Sequence, residues 1–468
     1  PAPTAQLSFQ TMAATVSHRS QAMNPLPARP LLLALCIFGS ALPLAAASFD
    51  VASATNQVGL DLYRRLAGAK PGENLVISPY SIESALALAY AGADGSTRSE
   101  MSTALHLPVD DAAVDRAFAG LRTDLATAAA ESAKVAVARH RASRTPIYAI
   151  MNGQRVELPE EPAPAAGIEW HEANRLFAQS GYAFRSSFLA LLRDRYAAPF
   201  ESLDFRHEDE KARSVINRWV EEQTREKILD LIPPRGVSPD TRLVLVNALY
   251  LKAPWHTPFE KIFTVPQPFH LTDIASREFP TMQQGGYLGY EHMTGLTVVS
   301  LDYLGRELQC LILLPDEGSS VSAVANKLST ADFARWSKLG KETGSTLVAL
   351  HLPRFRVAGV TVPLRPVLRR LGVTSAFDEP EGSANFERIA ARRPEDYLKL
   401  SEVFHQTFLA LDEEGTEAAA ATAAAESYAG SAARQQPVEV RVDRPFLFAI
   451  QHRASGTCLF LGRITDPR

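Results

Sequence analysis

From Val51 to Ala69 apolar residues recur at helical spacing, which predicts an amphipathic helix. The segment "NLVIS" then reads as a strand, and after its proline a helix is expected to end near Gly92. A second helical stretch runs from Asp111 to about Val137. Residues 140–168 break the pattern with prolines and mixed polarity and read as a surface insertion, after which order resumes at "HEANRLFAQSGYAF". The second half is mostly strands: "TRLVLVNALYLKA", "TVVSLDYL", "LQCLILLP", "STLVALHLPRFRV", "SEVFHQTFLALDEEG", "PVEVRV", "PFLFAIQH" and "TCLFLGRI". Helices interrupt them at Asp209–Gln223 and Ser320–Leu339. Strands and helices interleave without regular alternation, no repeat is visible and no linker divides the chain. The class is therefore α+β, a single domain over about 49–468, and not a doubly wound parallel sheet.

One tract does not fit a packed core. Between the strand-like "FLALDEEG" and "DRPFLF" lies "TEAAAATAAAESYAGSAARQQPVEVRV", rich in alanine and threonine. Its intrinsic helix propensity is high, so from composition alone a helix or a flexible linker is open.

Composition narrows the partners. The 468 residues are 46% hydrophobic and 21% charged, an ordinary globular balance, and a net charge of -4 lacks the basic excess that drives binding to nucleic acid. Arg29 is followed by "PLLLALCIFGSALPLAAAS", an apolar run ending in small residues that suits cleavage near Ala47. Residues 23–47 thus read as a signal peptide starting at Met23, residues 1–22 as a non-native or upstream extension, and the mature chain as secreted, extracellular or periplasmic. The run is short for a membrane span. Cys36 follows Leu35, where a lipoprotein signal needs a small residue, so no lipid anchor is expected. Cys310 and Cys458, each inside an apolar run, read as buried free thiols more readily than as a disulfide.

No catalytic motif is found. The G-x-S-x-G elbow, the P-loop, H-E-x-x-H, C-x-x-C and G-x-G-x-x-G after a strand are all missing. "HEAN" at His171 lacks the second histidine one helical turn on that a metal would need on the same face. Neither a metal nor a cofactor is expected.

Several segments together resemble the serpin family of serine protease inhibitors, over about Phe49 to Pro467. They are "NLVISPYSIESALALAYAGADGSTRSEM", "ANRLFAQSGYAF", "INRWVEEQTREKI", "VNALYLKAPWHTPF", "LILLPDE", "LHLPRFRV", "FHQTFLALDEEGTEAAAAT" and "DRPFLFAIQHRASGTCLFLGRITDP". The resemblance implies three β-sheets, about eight or nine helices and an exposed reactive-centre loop. It implies no enzyme but a suicide-substrate inhibitor of serine proteases, with cysteine proteases a further class. A target cleaves the loop, is held as an acyl-enzyme, and is dragged along as the loop becomes an added strand of the main sheet. The alternative is a non-inhibitory carrier or chaperone of the same fold.

Residue by residue, Glu413, Glu414, Gly415, Thr416, Glu417, Ala418, Ala419, Ala420, Ala421 and Thr422 match the hinge of inhibitory members. Small residues suit a strand that must slip between packed neighbours, and from Thr416 alternate residues would face the core. Ser78, Ser81, Asn247 and His405 match the polar cluster under the sheet, called the shutter. Trp255, with Glu413, matches the top of the sheet, called the breach. "KAPW" replaces the family's usual Lys-Gly-x-Trp. Counted from Glu413, the cleaved bond is Ala429-Gly430, which suits an elastase-like or subtilisin-like protease. Counted back from "DRPF" it is Arg434-Gln435, suiting a trypsin-like one, while Tyr428 would suit a chymotrypsin-like pocket. A monomer is expected. The basic residues Lys134, Arg139, His140, Arg141 and Arg144 read as a solvated run more readily than as a polyanion site.

Overall fold

The segment "LVLVNALYL" is apolar without alternation because its strand is covered on both faces. In the structure, a computed structural model that describes residues 49–143, 148–151, 154–157, 167–198, 200–272, 274–358, 360–416 and 436–468, every residue from Leu243 to Leu251 is buried. The strand Leu243–Pro254 pairs on one side, antiparallel, with Glu169–Gln179. On the other it pairs in parallel with Leu400–Leu411, from Leu243 beside Leu400 to Tyr250 beside Phe408. Beyond that point the two strands part, and Gly415–Thr416 lies between them. Phe355–Ala358, Val362–Pro363 and Glu201–Leu203 complete a seven-stranded main sheet.

Helices cover both faces of this sheet. Pro79–Gly92 packs behind it in a cluster with Val51–Ala69 and with Leu176, Ala178, Leu243 and Leu245 of the sheet. Phe205–Gln223 covers the other face over Ala173, Phe177, Val244, Val246 and Ala248. Nine α-helices are present among the described residues.

Nine further strands form one continuous ladder. Its long strand Ala275–Met293 pairs successively with Val265–Thr272, Thr346–Pro353 and Leu296–Asp302, so that two of the three expected sheets share one strand. At Gly289 a Cβ would lie 2.9 Å from Ser300 Cβ and 3.0 Å from the Leu339 carbonyl, so the close crossing requires glycine. A separate hairpin, Tyr148–Met151 with Gln154–Glu157, lies in the stretch read as an insertion.

Several boundaries differ from expectation. The helix from Asp111 runs to Ser143 instead of stopping near Val137. The helix expected at Asp209 begins at Phe205, because Asp204 accepts hydrogen bonds from the Arg206 and His207 amides; Glu208 is non-helical. Ser320–Leu339 is two helices, Val321–Lys327 and Thr330–Trp336, since the Ser329 amide bonds the Asp332 carboxylate (2.8 Å) and restarts the second. "STLVALHLPRFRV" is two strands in two sheets: Pro353 has no N–H to continue the ladder, and the chain crosses to the main sheet at Arg354. Cys310 and Cys458 are both buried and free.

Candidate functional site: the hinge and the polar cluster beneath it

Where Leu243–Pro254 and Leu400–Leu411 separate, the chain turns at Asp412 and comes back between them. The Asp412 carboxylate accepts from the amides of Glu414 (2.9 Å) and Gly415 (3.2 Å), and the Asp412 amide donates to the Gly415 carbonyl (2.9 Å). Gly415 and Thr416 then lie opposite Pro254 and Ala253 on one side, with Thr416 opposite Leu411 on the other. Glycine is needed at 415: φ is +153°, and a Cβ would stand 2.2 Å from the Ala253 carbonyl oxygen. Thr416 is fully buried, and its hydroxyl meets the Tyr303 hydroxyl at 2.6 Å.

Trp255 fixes this turn from below. Its indole N–H donates to the Asp412 carbonyl (2.9 Å), its amide donates to the Glu414 carbonyl (2.8 Å), and its ring stacks on Tyr303 at 4.6 Å. Trp255 is therefore both a core aromatic and a direct support of the hinge. The alanine that replaces the family's glycine in "KAPW" is Ala253, which pairs with Thr416 through its backbone and leaves this contact intact.

Acidic residues anchor the turn from above. Glu413 is only 2% exposed; Thr264 Oγ1 (2.5 Å) and the Arg354 guanidinium (Nε at 2.7 Å) both donate to its Oε1. Burial opposes its charge, yet these bonds together outweigh burial and hold the carboxyl below the usual range. Lys261 pairs with Glu414 at 2.5 Å. The hinge residues Glu417, Ala418, Ala419, Ala420, Ala421 and Thr422 lie outside the described residues, as do Tyr428, Ala429, Gly430 and Arg434.

The four shutter residues do come together, one level down, each fully buried. Ser78 caps the helix Pro79–Gly92 by accepting from the Ser81 amide (3.1 Å), and its hydroxyl donates to the Leu459 carbonyl (2.6 Å). Asn247 donates to the Ser81 carbonyl (2.8 Å) and hydroxyl (2.5 Å). His405 sits directly across from Asn247 in the parallel pair, with Nδ1 on the Asn247 carbonyl oxygen and Nε2 accepting from the Ser78 amide (3.2 Å). This pattern requires a neutral ring, because a proton on Nε2 would face the Ser78 N–H. Burial accordingly pushes the His405 pKa down to about 3.

A stability test follows. A folded-state pKa depressed below the unfolded value makes His405 stabilising above about pH 6.5, with that contribution lost as pH falls toward 3. The gap in unfolding free energy between the native chain and His405→Gln should shrink by about 1.4 kcal/mol per unit between roughly pH 6 and pH 4. A gap independent of pH in denaturant melts would contradict the neutral-ring assignment.

Sequence reasoning missed Asn174, Arg354, Thr264 and Tyr303. Asn174 lies opposite Asn247 in the antiparallel pair and shares its amide network, with Ser81 Oγ at 3.4 Å. A lone amide on the same strand face as Leu176 and Ala178 was the available signal. For Arg354 there was none, because a charged residue before a strand is usually solvated. Lys134, Arg139 and Arg141 are exposed; Arg139 also donates to the His256 carbonyl (2.6 Å), and Lys134 pairs with Glu131 (2.6 Å). His171 lies on the strand Glu169–Gln179, its ring stacked on Tyr250. No described helix is long and apolar enough to cross a membrane.

These features match known proteins over most of the chain. Residues 53–467 match the family described as serpin (serine protease inhibitor). An uncharacterized serpin-like protein of Thermococcus kodakarensis is 34% identical over 420 residues, covering 89% of this chain and 86% of that protein. The leukocyte elastase inhibitor of Sus scrofa is 33% identical over 425 residues, covering 89% of this chain and 100% of that protein. Among solved structures, a highly specific serpin of the insect Tenebrio molitor aligns with a TM-score of 0.68 at 27% identity, over 90% of this chain and 98% of that one. From the sheet architecture, the hinge and these matches alike, the chain belongs to the serpin family.

Proposed function

We propose that this serpin is a secreted suicide-substrate inhibitor of serine proteases, elastase-like or subtilisin-like by preference. The observation that carries the reading is the placement of Gly415 and Thr416. Within the hinge, Gly415 and Thr416 already pair as a strand between the two parting strands of the main sheet, and Thr416 is buried there. A loop that continued this strand downward would separate Leu400–Leu411 from Leu243–Pro254 pair by pair, reaching His405 and Asn247. Its alternating small residues would fill the opened space.

In this mechanism the protease nucleophile attacks the Ala429 carbonyl, the Gly430 amine leaves, and the acyl-enzyme is carried away before water can release it. About a dozen new strand residues at roughly 0.5–1.5 kcal/mol per net hydrogen bond supply on the order of 10 kcal/mol. That is comparable with the roughly 5–15 kcal/mol that hold a protease domain folded. The similarity to an elastase inhibitor supports the target class, and the apolar run after Arg29 supports secretion.

The test is incubation with elastase, subtilisin, chymotrypsin and trypsin, followed by a denaturing gel. An inhibitor gives a covalent band with at least one of them. A non-inhibitory carrier gives only cleaved chain. Mass spectrometry of the C-terminal peptide released in an elastase or subtilisin complex should find it beginning at Gly430. A peptide that begins at Gln435, and only with trypsin, would move the cleaved bond to Arg434-Gln435.

A further inference from the structure

A cavity of about 570 Å³ opens at the edge of the main sheet, lined by the strand Glu169–Gln179 and the helices Pro79–Gly92 and Asp111–Ser143. Glu201–Leu203 covers the outer edge of that strand only at Phe177, Ala178 and Gln179. The rest of that edge is unpaired among the described residues. The volume lies within the range of sites that take small organic ligands.

Its walls are about equally polar and apolar, with the apolar side chains forming one surface and the charged ones facing it. Tyr80 and Trp170 stand with ring centroids 5.7 Å apart, and Leu88, Leu125 and Ile168 extend the same surface. The charged groups at the rim leave a net positive charge: the single carboxylate Glu169 pairs with both Lys252 (2.9 Å) and Arg225 (2.5 Å), and His171 lies 3.6 Å from Glu169. Two ionisable groups are left. Arg122 donates to the Arg195 carbonyl (2.9 Å) and forms no ion pair among the described residues. Glu172 accepts from the Asn174 amide and faces Tyr80, Ser84, Trp170 and the Arg122 charge.

We propose that this cavity binds a small amphipathic carboxylic acid, with its carboxylate on Arg122 and its apolar body against Tyr80, Leu125 and Trp170. An anion completes the arginine's bonding and accepts from Glu172 when that carboxyl is protonated. A cationic ligand would instead meet the Arg122 charge. Burial lifts the Glu172 carboxyl to about 7, against the bonds of Trp170, Ser84 and Tyr80 and the pull of Arg122. Near neutral pH the protonated form is therefore available, and a bound carboxylate selects it. Affinity must fall as pH rises through 7.

Calorimetric titration of the full chain with 1-naphthylacetate, at pH 6, 7 and 8, tests this directly. The expected result is saturable one-to-one binding that weakens from pH 6 to pH 8. Arg122→Gln should bind at least 10-fold more weakly, and Glu172→Gln should bind with little pH dependence. Leu125→Trp, which fills the cavity, should abolish binding while its melting curve shows a folded chain. The proposal is overturned if no saturable heat is seen at millimolar ligand, if Arg122→Gln binds as tightly as the native chain, or if 1-naphthylmethylamine binds better than the acid.

Discussion

Thr416→Arg is expected to turn the chain from a protease trap into a protease substrate, with the covalent band lost and cleaved chain taking its place. Thr416 is fully buried, and its hydroxyl meets the Tyr303 hydroxyl at 2.6 Å. Tyr303 in turn stacks on Trp255, so the pocket around residue 416 is aromatic and closed. A guanidinium there would be buried without a carboxylate, at a cost of several kcal/mol. The substituted residue avoids this by leaving its place between Ala253 and Leu411, so that the hinge no longer enters the sheet. Insertion would then stall at its first step, and the acyl-enzyme would have time to hydrolyse. The measurement is the ratio of complex to cleaved chain at fixed protease. A ratio equal to that of the native chain would refute insertion through Thr416.

The second large effect is on stability. A single cut between about Ala425 and Arg434 should raise the melting temperature, by on the order of 10 °C or more if about a dozen residues join the sheet. Ordinary proteins nicked in a surface loop stay level or weaken, because the cut only adds freedom to the unfolded chain. Here the cut frees one end of a segment whose first two residues already have their places between Ala253 and Leu411. A verified single cut with an unchanged melting curve would favour a carrier over an inhibitor.

What the sequence reveals depends on how local the cause is. Leu243–Pro254 is legible because burial on both faces writes an unbroken apolar run, and Pro79–Gly92 because Ser78 and Pro79 mark its start. The shutter residues are legible only through resemblance. Nothing local says that Ser78, Asn247 and His405, separated by long stretches of chain, will share one network. The split at Arg354 was hidden for a related reason: two apolar strands in different sheets read as one when the only break is a single turn residue whose partner, Glu413, lies far along the chain. Gly415 looks like any turn glycine until the Ala253 carbonyl is seen beside it. The cavity beside Trp170 was equally invisible, since Arg122 and Glu172 come from elements that the sequence treats separately.

The parallel pairing of His405 with Asn247 also bears on how the chain is made. These partners are 158 residues apart, so the main sheet cannot close until most of the protein has left the ribosome. At about 5–20 residues per second, translation separates the two strands by roughly 8–30 s. Throughout that interval the apolar strand Leu243–Pro254 has one edge without its native partner. Such a delay favours slow folding of high contact order and makes the nascent chain a natural client for chaperones that shield strand edges.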